Sequence, residues 1–301
     1  MGVARYSFAV VVSSALLVGL TTVAQAEGPA VSALNGKLSS EGGTIGSNGN
    51  TSAIGLAEGS ITAPLGTSFG IQADVAAGVA YNSFLAGGGL HAFWRDPSIG
   101  LFGPIAAMGG GRGSRIGLYG AEGEFYLGHV TLGGTAGYQD AVSSGTGIVP
   151  SGGFYTVHLT FYPIDDLALT AEGRDMAGQY TGHGTIEYQP DFAAKRVMSF
   201  FVDAEAGDSS YYRVTGGVRF YFGADKTLIR RHREDDPPQI PLGTLVPTGV
   251  GGPASSSPSS SGLVNPADGG SAGGVSGSGT ITNSGGTSPP PGSGIVSVPS
   301  I

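Results

Sequence analysis

Ionisable side chains recur at every second position in several stretches of this chain, and their spacing limits the chemistry they can share. In Phe154-Tyr155-Thr156-Val157-His158-Leu159-Thr160-Phe161, His158 stands between Thr156 and Thr160 while apolar residues take the alternate positions. Glu172 and Arg174 share a side with Thr170, Asp203 and Glu205 share one with Ser199, and Arg213 and Arg219 share one with Thr215 and Tyr221. Three kinds of chemistry are compatible with this pattern. A histidine oriented by polar partners can serve as the base of a lipid hydrolase, and His158 and His183, the latter between Thr181 and Thr185, are the candidates. A wall of carboxylates facing water would favour small cations. Glutamates 172, 187 and 205 can instead neutralise Arg174, Arg213 and Arg219 and knit a closed, purely structural interior. No nucleophile motif surrounds either histidine, so the expectation is a protein without enzymatic activity.

The positioning elements follow from the period. Alternation over eight or more residues is a strand signature, and no helical period appears between residues 34 and 222. Such strands could build a soluble sandwich, but three features favour a transmembrane up-and-down antiparallel β-barrel. The segments run to about 10–12 residues, as membrane strands require, where sandwich strands average nearer 5–6. Whole charges sit in mid-strand on the polar face, which suits a wet lumen. Aromatics mark alternate strand ends at Phe93-Trp94, Phe125-Tyr126, Phe161-Tyr162, Tyr188 and Phe220-Tyr221-Phe222, the pattern of a membrane girdle formed by Trp94, Phe125, Phe161, Tyr188, Phe220 and Phe222.

Those marks recur every 32 to 36 residues, one hairpin each, which predicts twelve strands. They are expected near 34–43, 53–64, 69–80, 84–95, 99–109, 115–127, 130–140, 152–162, 167–176, 182–189, 196–206 and 211–222. Ten strands is the alternative, because the first pair and the Pro104-containing segment alternate poorly. Turns after the aromatic ends are assigned to the periplasmic side, and short loops such as Thr44 to Ser52 and Ala141 to Ser151 to the outer side. The predicted lumen residues are Glu58, Asp74, His91, Glu122, Glu124, His158, Glu172, Arg174, Glu187, Asp203, Glu205, Arg213 and Arg219, with Lys37, Glu41 and Arg95 also inward. Acids outnumber bases there. Together with inward glycines that widen the bore, this favours a narrow passive channel for small polar solutes with a mild cation preference.

The ends of the chain are different materials. Residues 1–26 read as a secretory signal peptide, with Arg5, an apolar run from Phe8 to Leu20, and an Ala24-Gln25-Ala26 cleavage site. A short lead-in, 27–33, precedes the barrel at 34–222. Residues 223–236 read as a charged periplasmic linker, solvated or making a short contact with an anionic partner through 226–236. From 237 to 301 Gly, Ser and Pro dominate, the composition of a disordered tail. Across 301 residues there are 56 Gly and no Cys, which excludes a disulfide scaffold, a thiolate metal site and a Cys nucleophile. A net charge of −8 argues against nucleic acid as a partner. Gly109-Gly110-Gly111-Arg112-Gly113 lacks the Lys-Ser/Thr of a phosphate loop and reads as a hairpin. No cofactor and no metal site is expected.

Thr215-Gly216-Gly217-Val218-Arg219-Phe220-Tyr221-Phe222 resembles the terminal strand signal of bacterial outer-membrane barrels, carried here by Gly217, Phe220 and Phe222. The runs Phe93-Trp94-Arg95-Asp96-Pro97, Glu124-Phe125-Tyr126-Leu127-Gly128 and 228–237 are similar to an uncharacterised branch of porin-like barrel proteins of Gram-negative α-proteobacteria. The resemblance covers residues 1–222. It implies an outer-membrane location, recognition by the barrel-assembly machinery, contact with outer-membrane lipid and lipopolysaccharide, and a tail in the periplasm. One departure is that 79 residues follow Phe222, where the signal normally ends the chain.

Overall fold

Period-two sequence becomes twelve antiparallel strands in a computed structural model, which describes residues 28–111, 113–143, 150–191 and 195–237. The strands are β1 (Asn35–Ser47), β2 (Asn50–Leu65), β3 (Phe69–Ala80), β4 (Ser83–Asp96), β5 (Gly100–Gly111), β6 (Ser114–Leu127), β7 (Val130–Ser143), β8 (Gly152–Ile164), β9 (Leu167–Met176), β10 (Gln179–Tyr188), β11 (Met198–Gly207) and β12 (Tyr211–Phe222). Each pairs with its neighbours in sequence, and β12 returns to β1, so the sheet closes and no strand edge is left open. The closing seam is continuous from Gly36↔Phe222 to Gly46↔Tyr212. Two glycines make this seam possible: a Cβ at Gly43 would lie 2.0 Å from the Val214 carbonyl oxygen, and one at Gly217 would lie 2.4 Å from that of Ser40.

Twelve strands is the expected number, and the poorly alternating segments are strands as well. Pro104, which argued against β5, is accommodated where the β4–β5 ladder lapses between His91↔Ile105 and Trp94↔Phe102, while the β5–β6 ladder runs on through Pro104↔Ala121. A missing N–H costs nothing where no ladder bond is made. The outer loop expected over Thr44 to Ser52 is corrected: β1 and β2 continue to Ser47 and Asn50, leaving a two-residue turn. Asn48 and Gly49 both have positive φ there (50° and 79°), as do Tyr81 and Asn82 (51° and 57°) and Ala177 and Gly178 (55° and 88°). Two successive left-handed residues match the twist of a tight hairpin, so these connections need no further length.

The outward face is apolar. Phe84, Leu90, Phe102, Val75 and Val157 are all exposed, and so are the predicted girdle residues Trp94, Phe125, Phe161, Tyr188, Phe220 and Phe222. Contiguous apolar surface on this scale is unusual on a soluble monomer and is what a hydrocarbon-facing wall requires. Beyond β12 the chain forms a short helix, α1 (Leu228–Glu234). The signal-peptide and tail readings, at 1–26 and beyond residue 237, lie outside the described residues, as do 144–149 and 192–194 within the loops.

Candidate functional site: a charged chamber in the lumen

Side chains on the inward face divide the lumen into three levels. At the far end, away from the chain's entry and exit, Ile45, Ile54, Leu56, Leu85, Ile105, Ile116, Leu118, Phe154, Met176 and Tyr211 form one apolar cluster drawn from nine strands with Ala80. Ile45 is 0 % exposed and Ile116 1 %. Residues ringing an open pore would touch solvent, so the cluster fills this level instead of lining it.

The middle level is polar and holds a cavity of about 190 Å³. Its walls carry seven carboxylates (Glu41, Glu58, Glu124, Glu172, Glu187, Asp203, Asp236), four permanent cations (Lys37, Arg213, Arg219, Arg233) and three histidines (158, 183, 232). Register assembles them. His158 lies opposite Glu172, Glu172 opposite His183, His183 opposite Glu205, and Glu205 opposite Arg213, one row across five strands. Beside it, two positions along β9, Arg174 donates from Nε and Nη2 to Glu172 at 2.8 and 3.0 Å and from Nη1 to Glu205 at 3.1 Å, while Arg213 reaches Glu205 at 3.2 Å. Arg219 pairs with Glu187, which also accepts from Ser199 at 2.5 Å and Tyr221 at 2.6 Å. Three arginines thus bridge four glutamates, counting Glu41 beside Arg213 at 3.8 Å.

Both histidines proposed for hydrolysis are tied to carboxylates. His158 Nε2 is 3.3 Å from Glu124, and His183 is held by Glu172 at Nδ1, 3.3 Å, and by Asp203 at Nε2. Thr185 is the hydroxyl beside His183, but it donates to Asp203 at 2.7 Å. With both ring nitrogens of His183 facing acids, neither is placed to draw a proton from a nucleophile. Asp74, His91 and Glu122 lie elsewhere in the wall as a buried set, His91 bonding each acid at 2.9 Å. Among the described residues, no group of three or more His, Cys, Asp or Glu is arranged to hold a metal ion.

The terminal level is closed by chain that sequence reasoning left outside the barrel. In the lead-in, Ala30 donates to the Thr67 carbonyl at 2.7 Å and accepts from Arg95 at 3.1 Å, while Val31 packs with Phe93, Leu101 and Tyr126. The segment read as a solvated linker folds back as α1, whose Leu228 and Ile229 pack against Tyr162, Ala168 and Tyr221. Lys37 pairs with Asp236 at 2.5 Å, both buried, and Lys226 pairs with Asp235 at 2.7 Å and Glu234 at 2.9 Å. Arg233 donates to the carbonyls of Gly128 and Val130 at 2.7 and 2.8 Å. The basic–acidic run was visible in sequence; its partners, drawn from seven strands and from the turns at Gly128 and Asp165-Asp166, were not.

No family model matches this chain, and a search of the curated proteins found no match. Among solved structures it is similar to the KdgM porin in complex with disordered oligogalacturonate, at 11 % identity and a TM-score of 0.46 over 61 % of this chain and 98 % of that one. The outer membrane protein Omp33 of Acinetobacter baumannii matches at 12 % identity and 0.40 over 65 % and 99 %. Outer membrane phospholipase A from Escherichia coli matches at 11 % and 0.41 over 62 % and 92 %. These similarities are to barrels of more than one activity, so the functional reading rests on the lumen of this chain.

Proposed function

We propose that this protein is a porin-like barrel of the outer membrane of a Gram-negative bacterium: a narrow passive channel for small polar solutes, favouring cations. The observation that carries the reading is the polar chamber of about 190 Å³ with its surplus of carboxylates, held within a wall whose outer face is apolar. A purely mechanical core would gain more from packing than from a charged cavity large enough for several waters, since buried ion pairs contribute little net stability. In this reading the exposed aromatics Trp94, Phe125, Phe161, Tyr188, Phe220 and Phe222 sit at the membrane interfaces among lipid and lipopolysaccharide. Gly217, Phe220 and Phe222 serve recognition by the assembly machinery, and the tail is periplasmic. A hydrolase is disfavoured because the acids occupy both nitrogens of His183.

The apolar cluster at the far end favours a second reading, a static barrel with a closed lumen. Conductance in planar bilayers at high salt separates the two. The full chain is compared with a full-length Leu228→Asp, Ile229→Asp variant that cannot seat α1. Discrete steps in either chain support the channel, and silence in both leaves the static barrel.

A further inference from the structure

We propose that the segment from Lys226 to Pro237 is a removable inner closure: seated, it seals the chamber at the terminal mouth, and withdrawn, it opens the chamber to water and small solutes from that side. The inference deepens the channel reading and takes its physiological meaning from it.

Four observations support this role. First, α1 is no part of the wall, because the sheet closes through β1 and β12 without it and its departure breaks no strand ladder. Second, the segment reaches the chamber itself, and His232, Arg233 and Asp236 supply part of its lining. Withdrawal therefore removes a stretch of chamber wall as well as a cover. Third, its hold is mostly polar. Only Leu228 and Ile229 enter an apolar cluster, whereas the Lys37–Asp236 pair, the Ser32 hydroxyl bonded to Asp235 and Lys226, and the Arg233 bonds to two carbonyls tie the rest to the barrel and lead-in. Such buried pairs add little net stability, because withdrawal returns both charges to water, whereas an apolar plug would lose its whole burial contribution. Fourth, a helix of seven residues without a side-chain N-cap bond has no stability of its own in water. Seating and folding of α1 are one event, so the closure has two states.

The chain lacks cysteine, so a Thr185→Cys substitution places one thiol in the chamber wall. The full-length protein is reconstituted in liposomes, and the rate of modification by a small, charged, water-soluble methanethiosulfonate is measured. Two full-length backgrounds weaken the closure by independent routes: Asp235→Ala with Asp236→Ala, which removes its bonds to Ser32 and Lys37, and Leu228→Asp with Ile229→Asp, which removes the apolar seat. Each is expected to raise the rate at least about tenfold over the Thr185→Cys chain alone. Equal rates in all three would overturn the closure, as would a thiol that already reacts at the rate of a free thiol in the parent. A rise in rate with no conductance steps would sustain the closure and reject the channel, so the two ideas fail separately.

Discussion

Arg174 shows what a single side chain does in this lumen. It is 3 % exposed and its guanidinium divides its donors between Glu172 and Glu205, themselves in contact with His183 and Arg213. Removing the arginine leaves Glu172 without its bidentate partner and Glu205 with Arg213 alone, in a site that water reaches poorly. Such a loss costs about 3–5 kcal/mol, more than the intact pair is worth. Arg174→Met is therefore expected to lower the urea midpoint of the folded barrel, read from heat-modifiable mobility on gels, whereas an unchanged midpoint would show that the chamber is wet enough to solvate both acids. Residue type and face were legible at this scale: period two alone put Glu172, Arg174, Glu205 and Arg213 on the polar side. Which acid meets which arginine was not, because a pairing across strands depends on register, and register depends on turn lengths that sequence reasoning overestimated at Thr44 to Ser52.

Helix α1 is the element whose behaviour should respond to pH. Burial pushes the His232 imidazole below its ordinary value and outweighs the attraction of Glu187 and Asp236, while Lys37 and Arg219 act in the same direction as burial. The Tyr162 hydroxyl is 3.0 Å from its Nδ1, and Glu187 lies 3.8 Å from its Nε2. The seated helix thus prefers neutral His232, whereas a withdrawn one titrates near about 6.5. Seating is fully supported above that pH and weakens as pH falls below it, by up to about 1.4 kcal/mol per pH unit until the lowered value is passed. Hydrogen exchange at the amides of Leu228 to Arg231, corrected for intrinsic rates, should speed up between pH 7.5 and 5.5. His232→Asn should flatten that dependence; a profile that stays steep in this variant would assign the effect to another group. Sequence reasoning missed α1 because seven residues hold too few turns for a period to emerge, and because Lys, Arg, Asp and Glu in a run resemble a solvated linker when the partners that bury them, such as Lys37 for Asp236 and the Gly128 carbonyl for Arg233, are remote in sequence.

For the whole molecule, the balance of charge in the chamber predicts selectivity. Seven carboxylates face four permanent cations, so an open channel should carry potassium in preference to chloride. With Arg233 and Asp236 withdrawn, six carboxylates still face three permanent cations, so any current through the variant with α1 unseated is expected to reverse on the cation side under a KCl gradient. Glu58→Gln with Asp203→Asn should move it towards zero. A reversal potential favouring chloride would mean that the histidines and arginines, not the surplus acids, set the field.

Strand identity and the alternation of faces were determined by the sequence alone, because a strand in a barrel wall carries its environment in its own period, an apolar outer side and a polar lumen alternating residue by residue; the choice of twelve strands over ten was made by the closure of the sheet. The state of the lumen was decided only by the tertiary structure. Whether Ile45 and Phe154 line a pore or meet in a plug, whether Glu205 is shared by two arginines, and whether the residues after Phe222 leave the barrel or fold back into its mouth are questions of distance across a closed sheet. Those distances are set by register, closure and packing, which no local pattern encodes.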